Sequence, residues 1–248
     1  MSSINKYTKE VENSLTRLAI NVDKERAAKT KKYLGTNLQV YGLDTKTQVE
    51  ACKKGYSFFN EDKENIFSEF NTIYLQSKSH EGKNQALIYL DKHYKHIPVK
   101  LQLEYIPNWV CHVDNWAHSD YVSKFLTRLT EHKDTQKQML SLIKKWNTSK
   151  LLWERRQSLI SLYYYARTKK EHIDFDLSKK LISNLITDKE YFVQKAVGWS
   201  LRESYNVYPK QTFEFIEENI KHISSTAFTT CLEKMSDKQK LALKQQRK

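Results

Sequence analysis

Apolar residues recur at helical spacing along almost the whole chain, interrupted only by short polar breaks. The pattern predicts helices over 3–20, 23–34, 45–55, 64–77, 81–96, 99–112, 115–131, 134–146, 150–168, 176–186, 189–206, 209–221, 224–234 and 236–246. Start signals support several of them. Asp44-Thr45, Ser149, Asp188 and Ser236 each place a short oxygen side chain where the free amides of a first turn need an acceptor. Pro98 and Pro209 stand near helix beginnings, where a missing amide is harmless, and Gly35 and Gly55 follow helices as stops. A strand-rich fold would need a turn signal every ~8–12 residues. The 248 residues carry only 5 Gly and 3 Pro, so the fold class is all-α.

Helices joined by short breaks form either a globular bundle or a solenoid of stacked helix pairs. Segments of related pattern, IFSEFNTIYLQS, NWAHSDYVSKFL, LLWERRQSLISLYYY and YFVQKAVGWSLRESY, recur at intervals of roughly 40–50 residues, close to the ~40–47 of HEAT-like repeats. The expectation is a curved HEAT-like helical-repeat solenoid in one domain spanning 1–248, with corresponding positions of successive repeats stacked on a concave face.

Charge adds a partner class. Forty-two Lys and Arg face 29 Asp and Glu, a formal net charge of +13, which attracts polyanions by steering and counterion release. Nucleic acid on a basic concave face is the leading expectation; a lysine-rich composition without an anionic partner is the bland alternative. No apolar run approaches the ~18–20 residues a membrane span needs, and the first residues lack a secretory apolar core. Cys52, Cys111 and Cys231 are odd in number and far apart, which speaks for a reducing, cytoplasmic setting.

Trp116 and Asp120 lie four apart and project from one helical face. Arg156 follows about 40 residues on and Trp199 about 40 beyond that, each roughly one repeat from the last. A solenoid would set these on neighbouring inner helices: arginine for phosphate, tryptophans against sugar or base, a carboxylate for developing positive charge. The competing readings are a core tryptophan and a plain ion pair. Arg155, Arg156, Lys169, Lys170, Lys195 and Arg202, interleaved with Tyr163, Tyr164, Tyr165 and Tyr205, supply candidate phosphate contacts. Cys111, His112 and His118 cluster without a second ligand pair at zinc spacing, so no metal site is expected. Nucleophile elbows, phosphate loops and dinucleotide glycine fingerprints are missing, which removes the common hydrolase and kinase readings.

At these residues the sequence resembles the AlkD-type DNA alkylation repair family, in order along most of the chain. KKYLGTNLQVYGLDTKT is similar to the family's early tyrosine, small loop and helix-opening threonine. LQSKSHEGKNQALIYL resembles its His-Glu segment, NWAHSD its W-x-x-x-D site motif, and LLWERR its W-x-x-R stretch. FVQKAVGWSLRESYNVYP matches the most characteristic stretch, with Lys-Ala, Gly-Trp and Arg-Glu in succession. The resemblance implies a glycosylase that excises N-alkylated purines from double-stranded DNA without metal, cofactor or base-binding pocket. It implies Trp116, Asp120 and Trp199 around the deoxyribose, Arg156 on the backbone nearby, and Tyr33 and Thr45 touching DNA from the amino-terminal helices. Such a protein is expected to act as a monomer. Two other readings stay open: a catalytically inactive protein of this fold that binds distorted or branched DNA, and a protein-interaction solenoid. Steep salt dependence of DNA affinity separates the first two from the third, and base release separates the first from the second.

Overall fold

The computed structural model describes residues 4–163 and 172–248. Among the described residues there are fourteen α-helices and no strand. They are α1 (Lys6–Leu18), α2 (Lys24–Leu34), α3 (Thr45–Lys54), α4 (Lys63–Gln76), α5 (His80–His93), α6 (Val99–Trp109) and α7 (Trp116–Glu131). After these come α8 (Gln136–Trp146), α9 (Leu152–Ile160), α10 (Phe175–Leu185), α11 (Tyr191–Val207), α12 (Pro209–Glu218), α13 (Ser225–Cys231) and α14 (Asp237–Arg247). Each predicted helix is present. The predicted ends at Tyr94–His96, Val110–His112 and Leu232–Lys234 instead tighten into single 3-10 turns, the common way a helix closes its last orphan carbonyls. The helix expected over 150–168 stops at Ile160; residues 161–163 form a turn, and the rest of that stretch lies outside the described residues.

The caps show why the helices begin and end where they do. Asp44 Oδ1 accepts from the Thr47 amide at 2.7 Å at the start of α3, and Ser236 with Gln239 closes a capping box on α14. Gly35 ends α2 at φ 64, with its amide donating to the carbonyls of Lys31 and Lys32. Ser149 and Asp188 stand two residues before the helix caps rather than at them. Their side chains accept from the amides of Leu151 and Glu190, the residues that themselves precede α9 and α11.

The chain divides into two compact units, residues 1–122 and 123–248. In the first, α1 packs on α3, α4 and α5, around Val11, Leu15, Phe67, Phe70, Ile73 and Leu87. Aromatic rings close this core: Phe70 stacks on Tyr89 at 4.7 Å and Tyr74 on Trp109 at 4.4 Å, and the buried Trp109 indole donates to Asn71 Oδ1 at 2.8 Å. In the second, α11 is the central element and packs on α9, α10, α12 and α13 through Val193, Val197 and Leu201.

Within each unit the polar contacts between helix pairs keep a period. His118 to His80, Trp109 to Asn71 and Asn84 to Gln48 span 38, 38 and 36 residues in the first unit. Thr127 to Ser161, Asn147 to Leu181 and Arg156 to Phe192 span 34, 34 and 36 in the second. Stacked helix pairs produce such a period. It is shorter than the 40–50 read from the sequence segments, because most of these helices are only 9–14 residues long.

Candidate nucleic-acid interface

In the first unit, the geometry centres on the first turn of α7. Asn115 precedes this helix and is fully buried; its Oδ1 accepts from the His118 amide at 3.1 Å. Its side-chain amide lies 3.1 Å from His118 Nδ1, while His118 Nε2 lies 3.2 Å from the carbonyl of His80. That pairing fits a neutral imidazole that donates from Nε2 and accepts at Nδ1. The His80 and His118 rings stack at 4.5 Å. Burial holds His118 well below its ordinary pKa and lowers His80 to about 4, so both rings are uncharged at neutral pH. With its first turn held in this way, α7 presents Trp116 and, one turn on, Asp120, both half-buried.

Trp116 is not a core residue. Its indole Nε1 donates to the carbonyl of Tyr33 at 3.2 Å, and the two rings meet edge to face at 5.3 Å and 88°. Tyr33 itself is 73% exposed. The structure thus brings together Tyr33 and Trp116, which are 83 residues apart in the chain. Asp114, just before α7, accepts at Oδ1 from the Thr36 hydroxyl and at Oδ2 from the Asn37 amide at 3.3 Å.

Thr45 is the exposed first residue of α3. The loop leading to it is held by Glu81, whose buried carboxylate accepts from the amides of Tyr41, Gly42 and Leu43 at 3.0, 2.8 and 3.3 Å. Gly42 is required there: its φ is 77, and a Cβ would meet the Ala27 backbone at 3.0 Å. Asp44 spends its charge on the α3 cap. The Thr47 amide holds its carboxyl below the usual carboxylate range, with Arg26 adding an exposed contact at 3.9 Å.

In the second unit the candidates lie on α9 and α11. Lys195, Trp199 and Arg202 follow one another at four and three residues, hence on one face of α11, each half-buried. The Arg202 guanidinium stands 5.8 Å from the Trp199 ring centroid and pairs with Glu203 and Glu233 at 2.9 and 2.8 Å. Arg156 is only 6% exposed, and its Nη1 donates to the Phe192 carbonyl at 2.7 Å, tying α9 to the first turn of α11. Arg155 turns its donors to Asp188 at 2.6 Å and to the carbonyls of Ser149 and Lys150, each at 2.9 Å, and so holds the turn between α8 and α9. Tyr163 is core, with its hydroxyl donating to Ser178 at 2.7 Å, and Tyr205 donates to Gln239 at 3.0 Å. Tyr164, Tyr165, Lys169 and Lys170 lie outside the described residues.

Sequence reasoning missed Glu81, Asp114, Asn115 and the His80–His118 stack as organising residues. Several of them stand in stretches already singled out, the His-Glu segment and NWAHSD, but their partners lie about 35–78 positions away, and nothing local marks the organising role. Cys111 and His118, neighbours in the sequence cluster, part company: Cys111 is exposed and His118 buried. Among the described residues no group of three or more His, Cys, Asp or Glu side chains is placed to hold a metal ion. No helix among them is long and apolar enough to cross a membrane.

The fold first defines a class, all-helical proteins assembled from stacked helix pairs. The same fold occurs in a solved structure described as a predicted DNA alkylation repair enzyme from Enterococcus faecalis. The two are 19% identical at a TM-score of 0.71, over 87% of this chain and 97% of that one. AlkD2 from Streptococcus mutans is 17% identical at a TM-score of 0.54, over 91% and 99%. Residues 14–235 match the family described as DNA alkylation repair enzyme, and the chain belongs to that family. A 106-residue stretch is also 34% identical to the probable folylpolyglutamate synthase of Saccharomyces cerevisiae. The match takes in 38% of this chain and only 24% of that protein's length, and it carries no activity over to this one.

Proposed function

We propose that the protein is a DNA glycosylase that excises N-alkylated purines from duplex DNA, the whole chain acting as one domain and as a monomer. The observation that carries the proposal is on α7. A half-buried tryptophan is braced edge to face by an exposed tyrosine, and a carboxylate follows it by one helical turn. Alkylation at a ring nitrogen makes the purine cationic and already a good leaving group, so the reaction needs little general acid and no Lewis acid. What remains is to stabilise the oxocarbenium-like deoxyribose. The anionic Asp120 and the electron-rich face of Trp116 suit that charge.

In this reading Trp199 offers a second aromatic face to the sugar. Arg156 serves the DNA backbone through the start of α11, Lys195 and Arg202 add cations on the same helix face, and Arg155 contributes by holding the adjoining turn. Tyr33 and Thr45 are DNA contacts from α2 and α3. Family membership supports DNA as the substrate class.

The test is base release from duplex DNA carrying a labelled N-alkylated purine, with and without a metal chelator. Wild type should release base in both conditions. Asp120→Asn should bind DNA as tightly and lose on the order of 10²–10³ in single-turnover rate, the cost of removing one preorganised electrostatic contact. If wild-type protein binds DNA in a salt-sensitive way yet releases no base, the enzyme reading fails. A protein that recognises distorted or branched DNA then stands in its place.

A further inference from the structure

The end of α2 and the start of α7 are joined by two contacts that close on each other. The Trp116 indole donates to the Tyr33 carbonyl at 3.2 Å. Two residues before Trp116, Asp114 receives the Thr36 hydroxyl and the Asn37 amide with its two oxygens. Thr36 is buried, and its Oγ1 also accepts from the Leu38 amide at 3.2 Å. One carboxylate therefore gathers the turn that follows α2, while the indole holds the last turn of the same helix. Between these contacts lie only Tyr33–Asn37 on one side and Asp114–Trp116 on the other. The Tyr33 ring has no other aromatic neighbour within the described residues than Trp116.

We propose that Asp114 is a positioning residue for the site on α7. By fixing Thr36 and Asn37 it sets the end of α2 against the first turn of α7, so that Tyr33 and Trp116 meet DNA as one braced pair. The inference rests on the glycosylase reading for its rate arm alone. Asp114 touches neither base nor sugar in this scheme; it acts through the backbone that carries Tyr33 and through the turn that carries Trp116. Loss of the brace frees Trp116 to leave the orientation in which its face meets the sugar. Misplacement of such a group by about 1 Å costs up to about a hundredfold in rate.

The experiment is a cycle of Asp114→Ala, Thr36→Val and the double variant, with Thr36→Ser as the conservative control. Single-turnover base release is read beside DNA affinity, melting temperature and acrylamide quenching of Trp116, isolated by subtracting a Trp116→Phe background. Each single variant should lose on the order of tenfold in rate. The double should lose less than the two singles combined, because both remove the Thr36–Asp114 bond, while Asp114 alone also holds Asn37 and Thr36 alone also holds Leu38. Thr36→Ser should restore the rate, and Trp116 should become more accessible to quencher in Asp114→Ala. Losses that add in the double variant, or that track melting temperature while Trp116 quenching is unchanged, would overturn the proposal. Should Asp114→Ala not fold, Asp114→Asn and Thr36→Val carry the same comparison. If wild-type protein releases no base, the quenching and affinity arms still decide: unchanged Trp116 accessibility sinks the clamp, and raised accessibility with weakened binding upholds it.

Discussion

Gly198 sits in the middle of α11, one residue before Trp199, where glycine is the poorer helix former by roughly 1 kcal/mol relative to alanine. On propensity alone, Gly198→Ala should stabilise the protein. The packing of α11 on α13 argues the opposite. A Cβ at this position would lie 2.6 Å from the Ala227 carbonyl oxygen, 2.8 Å from the Ala227 Cα and 2.9 Å from the Thr230 Cβ. Two of these three atoms are backbone, so no side chain can rotate away. Ordinary contact begins at 3.4 Å, and the shortfall against the carbonyl is about 0.8 Å, which α13 must absorb by moving. Forcing an extra methyl into such a contact costs about 1–3 kcal/mol, and the close approach across a helix pair belongs at the upper end. Set against the propensity gain, the net expectation is a loss of about 1–2 kcal/mol, or a melting temperature lower by roughly 2–8 °C for a chain of this size. Urea and thermal unfolding followed by far-ultraviolet circular dichroism would measure it. Under the proposed glycosylase function base release should fall as well, because α11 carries Trp199 on the adjoining position. A variant as stable as wild type or more so would refute the reasoning, since it would mean that the two helices part at no cost.

The His80–His118 stack makes a pH prediction. Burial lowers both pKa values from 6.5, His80 to about 4 and His118 well below its ordinary value. The unfolded chain therefore takes up protons that the folded one refuses. The stabilising contribution is complete above about pH 6.5 and is lost as pH falls through about 4, roughly 3 kcal/mol from His80 alone by then. Urea midpoints measured from pH 7.5 to 4.5 should decline more steeply for wild type than for His80→Gln, and equal slopes would count against a buried neutral pair. For the α11 face, Lys195→Ala should weaken DNA binding alike for all sequences and reduce the slope of log affinity against log salt by about 1. An unchanged slope in salt titrations by fluorescence anisotropy would remove Lys195 from the phosphate contacts.

The all-α class and the helix positions were legible because their causes are local. The 3.6-residue spacing of apolar side chains, the oxygens of Asp44 and Ser236, and the left-handed Gly35 act within a turn or two of where they stand. The pairing of Trp116 with Asp120 was legible for the same reason, since helical geometry alone puts positions four apart on one face. Site residues that depend on distant partners were not. Arg155 and Arg156 are adjacent and chemically identical, yet one holds Asp188 and the other the Phe192 carbonyl, 33 and 36 residues away. Tyr163 read as one of the tyrosines interleaved with candidate phosphate contacts, whereas its burial beside Ser178 makes it core. Nothing near Glu81 announces that it will receive three backbone amides from a loop about 40 residues upstream. Periodicity along a chain encodes which face of each helix is buried; which helices meet, and which polar groups they must satisfy on meeting, is decided only when the pairs stack. The desolvation cost of an unpaired buried group then selects the partner that is within reach in space.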